Sequence, residues 1–387
     1  MDHETVIVGG GIVGGSLAAA LADGGVSVAL IDSRSAPAHM PPLFDQRVYA
    51  LRPASVRFLE KCGVWPHVDA ARVAPVYEMA VFGDDGASRL HFDAYRSGIE
   101  ELAVIVEDSN LQNAMSRALD ARPLVTRMSG VTCVNAVWAA DEVAIELDDG
   151  RGVTAQLGVA ADGADSSLRG LAGIETRSAP YGELGVVANF ACEQPHKGVA
   201  YQWFRADGVL ALLPLPNDQV SMVWSTPQAH ADELQRLEPH ELSERVTAAS
   251  RGVLGRLEAT WGAAAFPLRR MRAAQTVGPR LALVGDAAHN VHPLAGQGLN
   301  LGLADAQALA DALALRAPTE GCGSRALLAR YRRSRSEDTL AMELVTDGLH
   351  SLFRAKLPAI AWLRNAGLRC TDRLTPLKKA LVKRAAG

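Results

Sequence analysis

Residues 4–32 read ETVIVGGGIVGGSLAAALADGGVSVALID, and this stretch predicts the fold. A β-branched run, a glycine turn, an alanine- and leucine-rich helix and a second apolar run form a βαβ pattern. Gly9, Gly11 and Gly14 fit G-x-G-x-x-G, which gives a tight turn, close approach to a pyrophosphate and close helix–strand packing. Asp32 ends the second strand, where a carboxylate accepts hydrogen bonds from ribose hydroxyls. The motif predicts a dinucleotide site without separating FAD from NAD, and an unrelated glycine-rich turn is the alternative.

The composition excludes several other classes of protein. The 387 residues suit two or three domains or one large composite, and a net charge of -4 argues against a nucleic-acid binder. Five scattered cysteines without a CxxC pair predict neither a disulfide framework nor a metal site. The chain opens on a structural strand rather than a signal segment, and no uncharged run reaches the ~18 residues of a membrane span. We therefore expect a cytoplasmic protein.

The pattern of apolar and polar residues along the chain predicts its domain organisation. Alternating apolar and polar residues over 185–226 indicate a mostly antiparallel sheet, after which the pattern of alternating helices and buried strands returns with LALVGD. We predict an α/β protein with a Rossmann-like nucleotide-binding domain built from discontinuous segments, an inserted sheet domain for substrate, and C-terminal helices. The expected ranges are 1–75, 100–180 and 272–335 for the nucleotide domain, 76–99 and 181–271 for the sheet domain, and 336–387 for a basic helical tail.

A second motif lies at residues 281–313, LALVGDAAHNVHPLAGQGLNLGLADAQALADAL. Asp286 follows a buried strand at its carboxyl end, where it can accept hydrogen bonds from a polyol such as the ribityl chain of a flavin. The next loop bares backbone amides and leads into a helix expected to start near Leu299, whose positive end would stabilise a reduced flavin. The residues assigned to the cofactor here are Asp286, Gln297, Gly298, Leu299 and Asn300.

Each residue of this second motif also has a plainer interpretation. Gly296 and Gly298 could be turn glycines, and Asn300 could be a helix cap. His289 is interpreted as a packed, hydrogen-bonded histidine in preference to a catalyst. For His292, two roles stay open: positioning the loop, or facing the active site.

Four blocks of sequence carry a resemblance to a known family. The chain resembles the flavoprotein aromatic hydroxylases, and among them the ubiquinone-biosynthesis hydroxylase family, over residues 1 to about 335. The blocks are VIVGGGIVGGSLA at 6–18, DQRVYALRPASVRFLEKCGVW at 45–65, VAADGADSSLR at 159–169 and VGDAAHNVHPLAGQGLNLGLADA at 284–306.

The resemblance implies roles for further residues. Asp162 and Gly163 match a pair near the FAD pyrophosphate that is also implicated in NAD(P)H use, with an ordinary turn as the alternative. Arg47 matches an arginine on the flavin side, and Gln112 matches a glutamine that contacts FAD, although solvated surface positions would also suit both. Pro293 matches a proline whose carbonyl lies near the flavin C4a edge. With it, the loop residues His292 and Gly296 are assigned to the catalytic edge.

The implied reaction is the hydroxylation of a phenol-type ring, expected to belong to a polyprenylated intermediate of ubiquinone biosynthesis. NAD(P)H would reduce FAD, and molecular oxygen would form a C4a-hydroperoxide that attacks the ring. Tyr201, Trp203 and Phe204 are candidates to line the ring pocket, although packing within the strand is the favoured interpretation. The absence of a second complete Rossmann unit is expected in this family.

The C-terminal tail and three rival functions complete the predictions. From residue 351 the tail carries nine Lys/Arg and one acid, so it predicts peripheral contact with anionic lipid or with a biosynthetic complex. A core-packed helix with a solvated basic face is the alternative. A hydroxylase of a soluble phenol, a prenyl reductase and a non-catalytic flavin-binding subunit remain open, whereas the Gly-Trp-x-Trp-x-Ile-Pro segment of a halogenase is missing.

Overall fold

The computed structural model describes residues 1–35, 40–290, 297–337, 348 and 358–386. Within these residues, the chain forms α-helices and strands, and the strands build two large sheets and one small sheet. The helices are α1 (Ile12–Asp23), α2 (Pro53–Lys61), α3 (Ala94–Ser97), α4 (Asp108–Asp120), α5 (Ser167–Leu171), α6 (Gln228–Arg236), α7 (Pro239–Ala249), α8 (Gln297–Ala314), α9 (325–337), α10 (Pro358–Arg373) and α11 (Thr375–Ala386).

Strands contribute to three sheets. They are β1 (His3–Val8), β2 (Val28–Asp32), β3 (Val48–Leu51), β4 (Val73–Val76), β5 (Glu78–Phe82), β6 (Arg89–Asp93), β7 (Ala103–Glu107), β8 (Val125–Ser129), β9 (Cys133–Trp138), β10 (Val143–Leu147), β11 (Gly152–Ala160), β12 (Thr176–Cys192), β13 (Val199–Arg205), β14 (Gly208–Leu215), β15 (Gln219–Pro227), β16 (Leu257–Ala259), β17 (Ala264–Ala273), β18 (Val277–Gly278), β19 (Leu281–Leu283) and β20 (His289–Asn290).

The first sheet has the parallel core that the opening motif predicts. Its order is β18-β19-β11-β1-β2-β8, and β1 pairs in parallel with both β2 and β11. On one face, α1, α4, α8 and α9 bury a core in which Leu17, Met115, Leu303 and Tyr331 are almost fully enclosed. Since parallel strands all end at one edge, the glycine turn, Asp32 and the turn after β19 meet there.

The second sheet has nine strands in the order β20-β17-β12-β15-β14-β13-β5-β6, with β16 paired to β12. All of its pairings are antiparallel except that between β13 and β5. β12 starts at Thr176 and β17 continues to Ala273, so both strands cross the domain boundaries expected from sequence. A third, three-stranded sheet, β3-β7-β4, is interrupted in the chain by β5 and β6 of the second sheet.

Because successive side chains of a strand point to opposite faces, the two faces of the second sheet contact different parts of the molecule. One face packs under α6 and α7, through Val186, Phe190, Leu210, Leu212, Met222 and Trp224. The opposite face lines a cavity, through Val187, Gln202, Phe204, Val209, Ala211 and Val223. The sheet is therefore fixed by helices on one side and offers a mostly apolar wall on the other.

The C-terminal helices contact the far edge of the second sheet. α10 packs against β6, and α11 packs against the short helix α3. No helix within the described residues is both long enough and apolar enough to cross a membrane.

Candidate active site

The glycine turn after β1 meets the steric demands of its motif. A Cβ on Gly9, whose φ is +108°, would lie 2.2 Å from the Ala161 carbonyl oxygen, and a Cβ on Gly14 would lie 1.9 Å from the Gly9 oxygen. At Gly11, the N-cap of α1, a Cβ would approach only the Arg34 Nη2, at 3.7 Å. The open space there and the uncapped helix start fit a pyrophosphate.

Asp32 lies at the carboxyl end of β2, as predicted. Its carboxylate binds Arg34, which was not among the predicted site residues. Its carboxylate accepts hydrogen bonds from the Arg34 backbone amide at 3.0 Å and from the Arg34 Nη2 at 2.9 Å. Both side chains line a cavity of about 350 Å³, together with Gln112 on α4. Gln112 therefore faces the same space as Asp32 and Arg34.

Asp162 and Gly163 form the turn that follows β11. The Asp162 Oδ2 accepts hydrogen bonds from the Ser167 hydroxyl at 3.0 Å and from the Leu168 amide at 3.2 Å. Its Oδ1 is buried without a partner within the described residues, and Gly163 has the left-handed φ of +85° that favours glycine. An unsatisfied buried acceptor beside the glycine turn suits a ligand that brings a hydroxyl or amide donor.

Arg47 lies immediately before β3, and two neighbours fix its surroundings. Its carbonyl accepts a hydrogen bond from the Asp108 amide at 3.0 Å, and its guanidinium carbon lies 5.4 Å from the Tyr49 ring centroid. The Tyr49 hydroxyl donates to Asp108 Oδ1 at 2.8 Å, and burial raises the pKa of this phenol. Tyr49 stays protonated and faces the cavity beside Arg47. Its one local signal was its position two residues after Arg47, at the start of a strand; its partner Asp108 is distant in the chain.

Asp286 lies in the 3₁₀ turn Gly285–Ala287 that follows β19, and it faces the same cavity. Burial raises the pKa of this carboxyl, opposed by the positive charges of His289, Arg47 and Arg269. The structure therefore brings Asp286 and Arg47 into one electrostatic neighbourhood, although they are far apart in the chain. A buried carboxylate of this kind is a strong acceptor for ligand hydroxyls.

A buried network of charged side chains stabilises the turn that contains Asp286. Asp305 on α8 accepts hydrogen bonds from the Gly285 amide at 3.0 Å, His289 Nε2 at 2.7 Å and Arg335 Nε at 2.7 Å. Burial alone would lower the pKa of His289, but the Asp305 carboxylate raises it; burial would raise the pKa of Asp305, but His289 and Arg335 lower it. His289 is thus a packed, hydrogen-bonded residue, as the sequence favoured.

Helix α8 begins at Gln297, two residues before the expected start. Gly298 and Leu299 line the cavity, and a Cβ on Gly298 would meet nothing within 4 Å. Asn300 is fully buried, and its side chain accepts from the Arg52 amide at 3.0 Å and donates to the Ala50 carbonyl at 2.8 Å. It clamps α8 to β3 and α2 from inside the helix instead of capping it. What Asn300 offers a cofactor from this position is its backbone.

Three predicted catalytic residues cannot be placed. His292, Pro293 and Gly296 lie outside the described residues, and of Gln297 only the backbone is described. Their assignments stay predictions.

The cavity has a volume of about 1930 Å³ and joins both sequence motifs to the inner face of the second sheet. Phe204 and Tyr201 line it, whereas Trp203 does not. Trp203 points to the opposite face, only 2% exposed, and stacks on Tyr201 at 5.8 Å and on Phe82 at 5.5 Å between ring centroids. The ring-pocket role is therefore wrong for Trp203, which alternates with Gln202 and Phe204 and packs in the helix-covered core, as the favoured interpretation expected. Tyr201 is half-buried on the same side of β13 and contacts both that core and the cavity.

The fold and the site together define a flavoprotein with an FAD-binding domain joined to a sheet domain across one cavity. Residues 2–346 match the model of the FAD binding domain family. The 3-demethoxyubiquinol 3-hydroxylase of Escherichia coli is 36% identical over 99% of this chain and 98% of its own length. Ubiquinone hydroxylase UbiL of Rhodospirillum rubrum is 34% identical over 99% of this chain and 89% of its own.

The chain belongs to the FAD binding domain family and, within it, to the ubiquinone-biosynthesis hydroxylases. A solved structure agrees with this at the level of the fold. The p-nitrophenol 4-monooxygenase PnpA from Pseudomonas putida DLL-E4 superposes with a TM-score of 0.79, covering 100% of this chain and 98% of that one at 20% identity.

Proposed function

We propose that this protein is an FAD-dependent, NAD(P)H-using monooxygenase that hydroxylates a phenol-type ring of a polyprenylated intermediate in ubiquinone biosynthesis. The observation that carries the proposal is the single cavity that joins the FAD motifs to an apolar sheet face. The named activities of the two relatives support the same chemistry and substrate class. In the balanced reaction, NAD(P)H, a proton, oxygen and the phenol give NAD(P)⁺, water and the hydroxylated ring.

The chain's own residues would hold the cofactor and shape the reaction space. Bound FAD supplies hydride acceptance from NAD(P)H and the transfer of one oxygen atom to the ring. The turn at Gly11 would give the phosphates backbone amides, Asp32 would accept from the ribose, and Asp286 would accept from the ribityl hydroxyls. Arg47 would bring positive charge to the flavin side. The apolar wall that includes Phe204 keeps water from the reacting ring, which limits loss of activated oxygen as peroxide.

A direct test uses the purified, FAD-loaded protein with NADH or NADPH and a prenylated phenol under ¹⁸O-labelled oxygen. We expect substrate-stimulated NAD(P)H oxidation and one labelled oxygen atom in each product molecule. A flavin-binding subunit without activity would retain FAD and show neither result. A tailless phenol serves as the comparison: if it turned over as well as the prenylated one, the soluble-phenol alternative would be favoured.

We also propose that the α3–α11 face contacts an anionic membrane surface. Lys379 and Lys383, four residues apart on one face of α11, are exposed. Tyr95 on the adjoining α3 is 92% exposed. Exposed cations on a helix next to an exposed aromatic suit a headgroup layer, where each basic residue contributes about 1 kcal/mol.

Liposome sedimentation tests this contact. The charge-reversal pair Lys379→Glu and Lys383→Glu should weaken binding to vesicles with anionic lipid by at least about tenfold at low salt. Each single reversal, Lys379→Glu or Lys383→Glu, is compared with Lys61→Glu, the same charge change at an exposed residue of α2, which is the control and should have little effect. Unchanged binding of the double variant would contradict the contact.

A further inference from the structure

The outer end of the cavity lies beneath the C-terminal helices. Leu368 of α10 packs on a cluster formed by Val81, Leu90 and Phe204 from the second sheet. These residues line the cavity, as do Leu381 and Val382 of α11. The far end from the FAD motifs is therefore an apolar space enclosed by the sheet and the two helices.

Polar contacts at the rim fix this cover in place. Arg364 of α10 forms an ion pair with Asp84 in the β5–β6 turn. Asp372 accepts hydrogen bonds from the His91 backbone amide at 3.0 Å and from Lys378 Nζ at 3.0 Å. The ion pair that anchors α10 therefore lies at the wall of the cavity, because Arg364 is itself a lining residue.

The size of the cavity calls for more than FAD and a ring. Single small-molecule sites have volumes of roughly 300–1,000 Å³, whereas this one is about 1930 Å³. The polar residues Arg47, Asp162 and Asp286 line its cofactor end. The outer end carries leucines, valines and a phenylalanine, with Arg364 and Thr371 of α10 among them. The part that FAD and a ring would not occupy is therefore mainly apolar and suited to hydrocarbon.

The position of the opening follows from two adjacent residues of α11. Val382 is 6% exposed and Leu381 is 43% exposed, yet both line the cavity. Leu381 thus marks a mouth where the apolar lining reaches the surface, on the side of α11 away from the exposed cations Lys379 and Lys383. A chain longer than the cavity can leave there.

Resting on the proposed function, we propose that this outer end is a subsite for the polyprenyl chain of the substrate. The chain runs from the ring position past Phe204, beneath Leu368, and leaves beside Leu381. Each isoprene unit inside gains apolar contact, whereas units beyond the mouth gain none. In the wild type, kcat/KM therefore rises with tail length and then reaches a plateau.

The test variant narrows the subsite without touching the cofactor motifs. Leu368→Trp places an indole in the tail path, and Leu315→Trp, at a residue 68% exposed beyond α8, is the matched control. Both are assayed as FAD-loaded protein in detergent, with phenols carrying one or eight isoprene units. We expect Leu368→Trp to lower kcat/KM for the long substrate by at least about tenfold. The indole displaces one isoprene unit from the subsite, and its five carbons lose their apolar contacts. The one-unit substrate should change less than about twofold.

Two kinetic results would overturn the subsite: equal kcat/KM of Leu368→Trp and wild type for the long substrate, or an equal loss for both substrates. A second measurement does not depend on turnover. A polyprenyl alcohol with a terminal diazirine is crosslinked to FAD-loaded wild type, and the labelled peptides are mapped. Labels in residues 358–386 or in β5–β6 support the subsite, and labels confined to other segments refute it. If no phenol is hydroxylated but the crosslinks lie at α10–α11, the proposed reaction fails while the subsite stands.

Discussion

The substitution Asp305→Asn tests the buried network behind the Asp286 turn. Asp305 is 1% exposed and compensates two cationic side chains, His289 and Arg335. An asparagine can still accept from Arg335, but its amide nitrogen then faces the Gly285 N–H, which loses its acceptor. Removing one partner of a buried ion pair costs about 3–5 kcal/mol. We expect a loss of stability in that range.

The pH dependence of this loss has a defined sign. The folded pKa of Asp305 is lowered, so its contribution is complete above the ordinary value of 3.8 and is lost as pH falls. The folded pKa of His289 is raised, so its contribution is complete below 6.5 and is lost as pH rises through the folded value. The pair stabilises most between those two values. In the variant, His289 is buried without its carboxylate, so its pKa falls and the slope reverses.

Urea unfolding followed by tryptophan fluorescence at pH 5.5 and pH 8.5 measures both effects. Asp311→Asn, the same substitution at an exposed position of the same helix, is the control and should change the free energy of unfolding by less than about 0.5 kcal/mol. The difference between Asp305→Asn and wild type should be larger at pH 5.5 than at pH 8.5. A loss below about 1 kcal/mol, or one independent of pH, would refute the reasoning.

Three further predictions concern the cofactor motifs. Gly11→Ala should leave apoprotein stability within about 0.5 kcal/mol of wild type yet weaken FAD binding in a fluorescence titration, whereas Gly14→Ala should unfold the turn because its Cβ meets the Gly9 oxygen. Asp286→Asn should raise the apoprotein melting temperature at pH 8 more than at pH 5, because the raised pKa makes the charged form costly, and should weaken FAD binding; the reverse pH order would contradict this. Asn300→Ala should lower stability by about 1–3 kcal/mol in urea unfolding, since buried partners lose their hydrogen bonds, and an unchanged midpoint would argue against the clamp.

The fold could be predicted from local patterns because the strands of its two large sheets differ in their sequences. Strands of the parallel sheet are continuous apolar runs, whereas strands of the mostly antiparallel sheet alternate apolar and polar residues. The βαβ motif at residues 4–32 corresponds to β1, α1 and β2, and the alternation over 185–226 corresponds to strands of the second sheet. The expected boundaries at 180/181 and 271/272 fall inside β12 and β17, because these strands continue between domains. At 180/181 the proline and glycine residues mark a β-bulge, between Pro180 and Glu183 with Gly182 at a φ of +72°, and not the end of the strand, so a sequence pattern places a boundary there that the strand does not have.

Side-chain partners across the fold were harder to predict than motif positions. Asn300 and His289 are both engaged with residues distant in the chain, and nothing in their local sequence names those partners. Tyr49 was missed because its role depends on Asp108, 59 positions later. The cavity-facing Leu368 was missed for a similar reason: a basic tail with scattered apolar residues reads as a surface helix until the sheet beneath it is known.

The apolar wall of the second sheet explains why this enzyme needs its C-terminal helices. Strand alternation forces Phe204, Val209 and Val223 to the side opposite α6 and α7, where a bare sheet would expose a large apolar patch to water. A cover fixed at Asp84 and Asp372 removes that exposure without filling the space. Such a space is stable when it is dry or occupied by hydrocarbon, because apolar cavities do not retain water. A long-tailed substrate therefore does more than reach the flavin: its tail completes the packing that the sheet leaves open. On this reasoning, binding of the tail raises the melting temperature of the FAD-loaded protein, and a tailless phenol raises it less.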